Sequence, residues 1–339
     1  MGFKMKKFIY ILIFTVGALN GANVSKLVWP PPPDEAKIEF VTSVMSSKDL
    51  EIKKSFFSKV IDFVLGEEEK PLVAPFGTHA QGDRVFVTDI VSKSLYVFDK
   101  KENETLTIEG SKKEKFLYPI DVTTDSKGNI YVSDSVRAKI YVFEKDGDYS
   151  HTIASKALQR PVGIAISPDD KKLYIVDSVS SQIHITTLDG KFIGVIGKKG
   201  LGEAEFNRPT FIDVGSDGKL YVSDSMNHRV QILDRDGKFI RKFGQLGNEI
   251  GCFGSPRGVS IDSQNNIYVS DTMFNNIQIF NQNGELLMVL GHYGNKKGEF
   301  SLPEDISITA DDTIYVADTN NKRVQAFRLI KSTLARSSK

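Results

Sequence analysis

Ile267-Tyr268-Val269-Ser270-Asp271 decides the fold of this chain, because near-copies of it recur along the sequence. They are Val85-Phe86-Val87-Thr88-Asp89, Ile130-Tyr131-Val132-Ser133-Asp134, Leu173-Tyr174-Ile175-Val176-Asp177, Leu220-Tyr221-Val222-Ser223-Asp224 and Ile314-Tyr315-Val316-Ala317-Asp318. Their closing aspartates are spaced by 45, 43, 47, 47 and 47 residues. Working outward from the fifth copy, Gly258 to Asp262 alternates as a half-buried strand and Ser263 to Asn266 supplies a hairpin turn. Beyond Asp271 a short turn leads into Asn276-Ile277-Gln278-Ile279-Phe280, and Asn283-Gly284 turns the chain into a fourth strand, Glu285 to Leu290. Four strands per unit at a period near 45 residues predict an all-β, six-bladed propeller of four-stranded blades.

The segments between units repeat as well. Phe243-Gly244 leads through Gly251 and Phe253 to Pro256, Leu290-Gly291 through Gly298 and Phe300 to Pro303, and Ile196-Gly197 through Gly202 and Phe206 to Pro209. With the Asp-terminated strand and the Arg-Val-Gln runs at Arg229 and Arg323, these residues resemble the NHL repeat over roughly residues 70–330. The resemblance is tightest in blades four to six, and implies a propeller without fixing an activity.

The sixth unit stops after its third strand, Arg323 to Arg328, while Lys37 to Val44 is a strand with no hairpin partner. That early strand is expected to complete the last blade and close the ring, giving a propeller over 37–330. Residues 1–22 read as a secretory signal: Lys4, Lys6 and Lys7 precede the apolar run Phe8 to Val16, with cleavage expected after Ala22 or Ala18. The run is shorter than the about 20 residues of a membrane span, so no stable membrane insertion is expected after cleavage. Residues 23–36, with Trp29 and Pro30 to Pro33, form a Pro-rich linker. From Asp49 to about residue 66, apolar residues recur at helical spacing and predict an inserted amphipathic helix, suited to a propeller face, a partner or a membrane surface. The helix ending in Gly-Glu-Glu-Glu and the strand after the prolines resemble an exported bacterial branch of such propellers. The tail 331–339 is polar and is expected to be disordered.

Together these features predict a periplasmic or secreted monomer. Formal charge is +1, from 44 basic and 43 acidic residues. Some NHL domains bind RNA, but this balance argues against a nucleic-acid partner. A single cysteine, Cys252, excludes an internal disulfide.

Related propeller lyases, the peptidylamidoglycolate lyases, hold zinc through histidines pointing into the axial channel. Here His79, His151, His184, His228 and His292 occupy unlike positions in the repeat, so no histidine metal site, no cofactor and no catalytic set is expected. The pattern of gluconolactonase-type propellers is not recognisable either. The channel mouth is read as Phe76, Ile120, Val162, Thr210, Arg257 and Glu304, followed by Gly77, Asp121, Gly163, Phe211, Gly258 and Asp305. Its carboxylates suit either a cation or pairing with Arg257, the latter favoured. The repeated aspartates are expected to cap their own turns. The blades differ most in the turns after their second strands, where Asn227, His228, Phe274, Asn275 and Asn320 lie. With Arg257, Glu304 and Asp305, these residues form the candidate docking surface for an unknown protein or polymer partner. The expected role is a non-catalytic binding or scaffolding module. The alternative is a metal-dependent lyase or lactonase using Asp121, Asp305 or Glu304 in the channel.

Overall fold

The computed structural model describes residues 26–50 and 71–330. The expected signal segment, the expected disordered tail and, beyond Leu50, the expected helix lie outside the described residues.

The Asp-terminated strand sits second in every blade because it is apolar on both faces. Ile267–Asp271 is buried along its whole length, and so are the equivalent strands Ile130–Asp134, Leu173–Asp177 and Leu220–Asp224. In blade 5 it pairs antiparallel with Pro256–Ile261 on the axial side and with Asn276–Phe280 outward, and Leu286–Leu290 forms the outer edge. Blades 1 to 4 repeat this order, with innermost strands Pro75–Gln81, Pro119–Thr124, Pro161–Ile166 and Ile212–Val214. The innermost strand of blade 6 is Pro303–Ile308, and its outer position is taken by Ile38–Val44, antiparallel to Arg323–Leu329.

The proline-rich stretch read as a linker turns back onto the propeller. Val28–Trp29 adds a fifth strand outside Ile38–Val44. The reason is aromatic: Trp29 and Phe40 both meet the buried ring of Phe327 edge-on, at 5.5 and 5.7 Å between centroids.

Each innermost strand starts at a linker, so the linkers and the turns between second and third strands share one side of the disc. The other two sets of turns share the opposite side. Linkers fold back on themselves: Lys198–Lys199 pairs with Glu205–Phe206, and Leu246–Phe253 and Tyr293–Phe300 form the same bridge. Each of the latter two bridges, like the first, brings a fully buried phenylalanine (Phe206, Phe253 or Phe300) between blades. Gly244 lies at φ 88° against the Phe253 ring, where a Cβ would come within 2.4 Å of it. That contact explains the Phe-Gly signature of the linker.

Candidate functional site

The repeated aspartates are fully buried and hold the linker side together. Asp271 accepts the N–H groups of Met273 and Phe274 in its own turn, and those of Gly254 and Ser255 in the preceding linker. In blades 4 and 6 the load is heavier. Asp224 also accepts from Arg229 Nε at 2.7 Å and from Gln231, while Arg229 donates to the carbonyls of Leu201, Gly202 and Glu205. Asp318 with Arg323 repeats the arrangement. Arg229 and Arg323 therefore tie their own blade to its incoming linker.

Toward the axis, alternate blades differ. The residue just before regular pairing begins along the axial strand (at Thr78, Val122, Ile164, Ile212, Val259 and Ile306) is Gly77, Gly163 and Gly258 in blades 1, 3 and 5, but Asp121, Phe211 and Asp305 in blades 2, 4 and 6. Packing forces the alternation. A Cβ on Gly163 would stand 2.6 Å from Phe211 Cα, and one on Gly258 2.8 Å from Asp305 Cα. Three carboxylates bridge between blades: Asp121 accepts the N–H of Ile164 at 2.8 Å, Asp305 that of Thr78 at 2.8 Å, and Asp213 that of Ile261 at 3.1 Å plus the Ser260 hydroxyl. Burial pushes all three upward. Asp121 reaches about 7, with the charge of Asp213 adding to the effect, and Asp305 rises well above the usual carboxylate range with Asp121 contributing.

These carboxylates line a cavity of about 280 Å³ on the axis. It runs from Asp121, Phe211 and Asp305 to Ser126, Pro168 and Asp170 in the turns of the side opposite the linkers. His79 also faces it, with Nε2 2.9 Å from the Thr124 hydroxyl, and burial lowers its pKa to about 4, keeping the ring neutral. On the linker side the axis is closed. Phe76 and Phe211, from opposite blades, stack with centroids 6.3 Å apart, and Ile120 and Val162 pack with them. Arg257 and Glu304 stand at the same step of the repeat as Phe76, each directly after the proline that opens its strand, and do not line the cavity. Their closest approach is 3.7 Å, and neither Arg257 Nε nor Glu304 Oε2 has a hydrogen-bond partner among the described residues. Burial raises the Glu304 pKa against the pull of Arg257.

The sequence-derived residues thus divide between two ends. Asp305 belongs to the cavity, while Arg257 and Glu304 belong to the linker-side mouth. Asn227 is tied down, donating to Gly200 O and Asp224. His228 and Asn275 take left-handed backbone angles, φ 53° and 55°, and Asn275 accepts the Leu302 N–H. Phe274 is half-buried, and Asn320 is exposed. The side chains that project are Met226 and Met273, 55% and 63% exposed. Sequence reasoning missed Asp213. Its signal was its position two residues beyond Phe211, on the same face of the strand.

Among the described residues, no three His, Cys, Asp or Glu side chains come together as a metal site. Of Asp121, Asp305 and Glu304, the first two line the cavity and Glu304 does not.

The NHL repeat profile matches residues 206–233 and 300–327, in blades four and six. A comparison with curated proteins finds no match. Among solved structures, a streptogramin B lyase is similar at a TM-score of 0.59 and 16% identity, covering 77% of this chain and 95% of the lyase. A virginiamycin B lyase from Staphylococcus aureus gives 0.56 and 16%, over 76% and 96%. A protein of unknown function from Bacteroides thetaiotaomicron gives 0.59 and 15%, over 76% and 70%. At such identities the likeness is one of fold. Repeat and blade count agree: this chain is a six-bladed β-propeller that carries NHL repeats in its fourth and sixth blades.

Proposed function

We propose that the chain is an exported, non-catalytic binding module whose partner docks on the linker side, around the mouth formed by Arg257 and Glu304. One observation carries this reading: exposed apolar side chains gather on that side, including Met226, Met273, Leu246 and Ile250, the last 76% exposed. Large apolar groups left in water on one side of a disc are the mark of an interaction surface. The Phe76 and Phe211 rings give the mouth an apolar lining, and Arg257, its side chain 35% exposed, offers a cation beside them. Export rests on the signal read in residues 1–22.

Affinity capture from an envelope extract tests it, comparing the unaltered chain with Arg257→Ala/Phe274→Ala and Met226→Ser/Met273→Ser. Loss of the same proteins from both variants is expected. Retention of every captured protein by both would refute the docking side.

A second reading, a lyase or lactonase, draws on the opposite end. The cavity is lined both by Asp121, whose carboxyl pKa is raised by burial to about 7, and by a neutral His79, groups of the kind that move protons. Against it, each of the three carboxylates is already engaged in bridging blades. Turnover of a lactone or cyclic ester that is abolished by His79→Gln would favour this reading. Elemental analysis of the purified chain tests the metal it presumes.

A further inference from the structure

The apolar side chains on the linker side form a ring. Two residues after each repeated aspartate stand Val91, Val136, Val179, Met226 and Met273, between 46% and 63% exposed, with Asn320 at the sixth position. Turn geometry does not require them. The repeat needs a side-chain acceptor at the aspartate and an αL residue four positions on, and leaves this position free. Outside the ring, Leu201, Leu246, Ile250 and Tyr293 project from three linkers, each at least 67% exposed.

Charge is segregated in the same sense. Lysine pairs occupy alternate linkers: Lys112-Lys113, Lys198-Lys199 and Lys296-Lys297, all exposed. Lys198 and Lys296 approach Glu205 and Glu299, whereas Lys112, Lys113 and Lys199 make no ion pair among the described residues. The opposite side is richer in acids, with Asp146, Asp148, Asp169 and Asp170 in its turns. A net charge of +1 conceals this polarity. Two copies meeting by their linker sides would oppose lysine to lysine. A single peptide would engage one sector, yet the apolar tips and lysines are spread around the whole disc.

We propose that the linker side adsorbs peripherally to an anionic lipid surface, with the ring tips entering the headgroup layer and the linker lysines meeting lipid phosphates. This inference rests on the linker side being the docking side, and names what it docks on. Isolated apolar tips interleaved with flexible cations on a broad face suit a fluid, negatively charged plane. No helix among the described residues is long and apolar enough to cross a membrane, so the contact is superficial.

The test is vesicle co-sedimentation of the chain in the form the exporting cell contains. Vesicles are phosphatidylethanolamine with one quarter phosphatidylglycerol, set against pure phosphatidylcholine. Binding to the anionic vesicles is expected to be at least about tenfold tighter and to weaken as salt rises. Lys112→Gln/Lys113→Gln/Lys199→Gln should lower partitioning on the order of a hundredfold, from about 1 kcal/mol per lysine near a charged surface. Met226→Ser/Met273→Ser should lower it several-fold. All these side chains are exposed, and an unchanged melting temperature confirms folding. Lys171→Gln/Lys172→Gln, on the opposite side, should change nothing. Equal binding to phosphatidylcholine, or no loss in either linker-side variant, overturns the lipid assignment. If capture of envelope proteins is then still lost in Met226→Ser/Met273→Ser, the docking side stands with a protein as its occupant. If capture also persists, both readings fall.

Discussion

Replacing Asp121 by Asn should stabilise the protein at alkaline pH, although Asp121 is a buried residue with two good hydrogen bonds. Its carboxylate is 5% exposed and accepts the N–H groups of Ile164 and Val122 at 2.8 and 2.7 Å. Burial raises its pKa from 3.8 to about 7, those two bonds pull it down, and Asp213 raises it again. Between about pH 4 and 7 the folded chain therefore keeps a proton that the unfolded chain has lost, and stability falls as pH rises through that window. A displacement of about three pH units at about 1.4 kcal/mol each sets a ceiling of about 4 kcal/mol. Asparagine keeps one oxygen acceptor in place, so the loss of the second hydrogen bond costs about 1 kcal/mol. The variant should be about 1 kcal/mol less stable than its parent at pH 4, and about 1–3 kcal/mol more stable at pH 8. His79, held near 4, has the opposite sign, adding stability as pH rises from 4 to 6.5, but it is common to both proteins and cancels in their difference. Urea unfolding at half-unit steps from pH 4 to 8 measures that difference. A flat difference curve, or one favouring the parent as pH rises, would refute the account of Asp121 as a carboxyl that burial holds protonated.

Three further outcomes follow from the packing. Gly258→Ala forces a Cβ to within 2.7 Å of Ile306 N, on backbone that cannot move away, and should cost about 1–3 kcal/mol in a thermal melt. Arg229→Met takes the cation from the fully buried Asp224 carboxylate and the donor from the carbonyls of Leu201 and Gly202, so a loss of about 3–5 kcal/mol in urea unfolding is expected, against under about 1 kcal/mol for the exposed Lys238→Met. Deleting residues 37–45 removes Ile38 and Val44, both fully buried, worth about 1.5–3 kcal/mol each, and opens the edge of Arg323–Leu329. A melt that stays single and unshifted would show that blade 6 holds without its outer strand.

The fold was legible because it is periodic. One Asp-terminated strand, read with its turns, places every blade and assigns its second strand. The packing role of the linker phenylalanines follows from the same repetition. What escaped the reading depends on contacts between unlike residues. Asp213 lies two residues beyond the register that marks Asp121 and Asp305, so alignment of repeats did not group it with them. Trp29 reads as part of a spacer because nothing local reveals that Phe327 offers it an edge 5.5 Å away. Phe274 reads as exposed from its turn, yet it is half-buried while its neighbour Met273 projects. The residues read as one channel mouth divide in the structure: Ile120 and Val162 pack with the Phe76 and Phe211 rings, while Asp121 and Asp305 line the cavity. Only the stacking of two rings from opposite blades divides the axis.

That division makes one last prediction separable from the others. Phe76 and Phe211 stand between the linker-side mouth and the cavity, so their rings help keep water from the carboxylates of Asp121 and Asp305. Desolvation is the first cause of the raised pKa at both. Phe76→Ala should open the axis from the linker side and rehydrate these groups, lowering their pKa values toward the ordinary range. Phe76 is only partly buried, so the stability cost at pH 4 should be about 2–3 kcal/mol, below the usual 3–5 for a fully buried phenylalanine. The fall in stability from pH 4 to 8 should then be shallower in the variant, so that the two proteins converge as pH rises. Arg257→Ala instead removes the cation that holds the raised Glu304 pKa down, and should make the fall steeper. If the Phe76 variant loses the same free energy at every pH, the rings contribute only packing, and the low hydration of the carboxylates comes from the blades themselves.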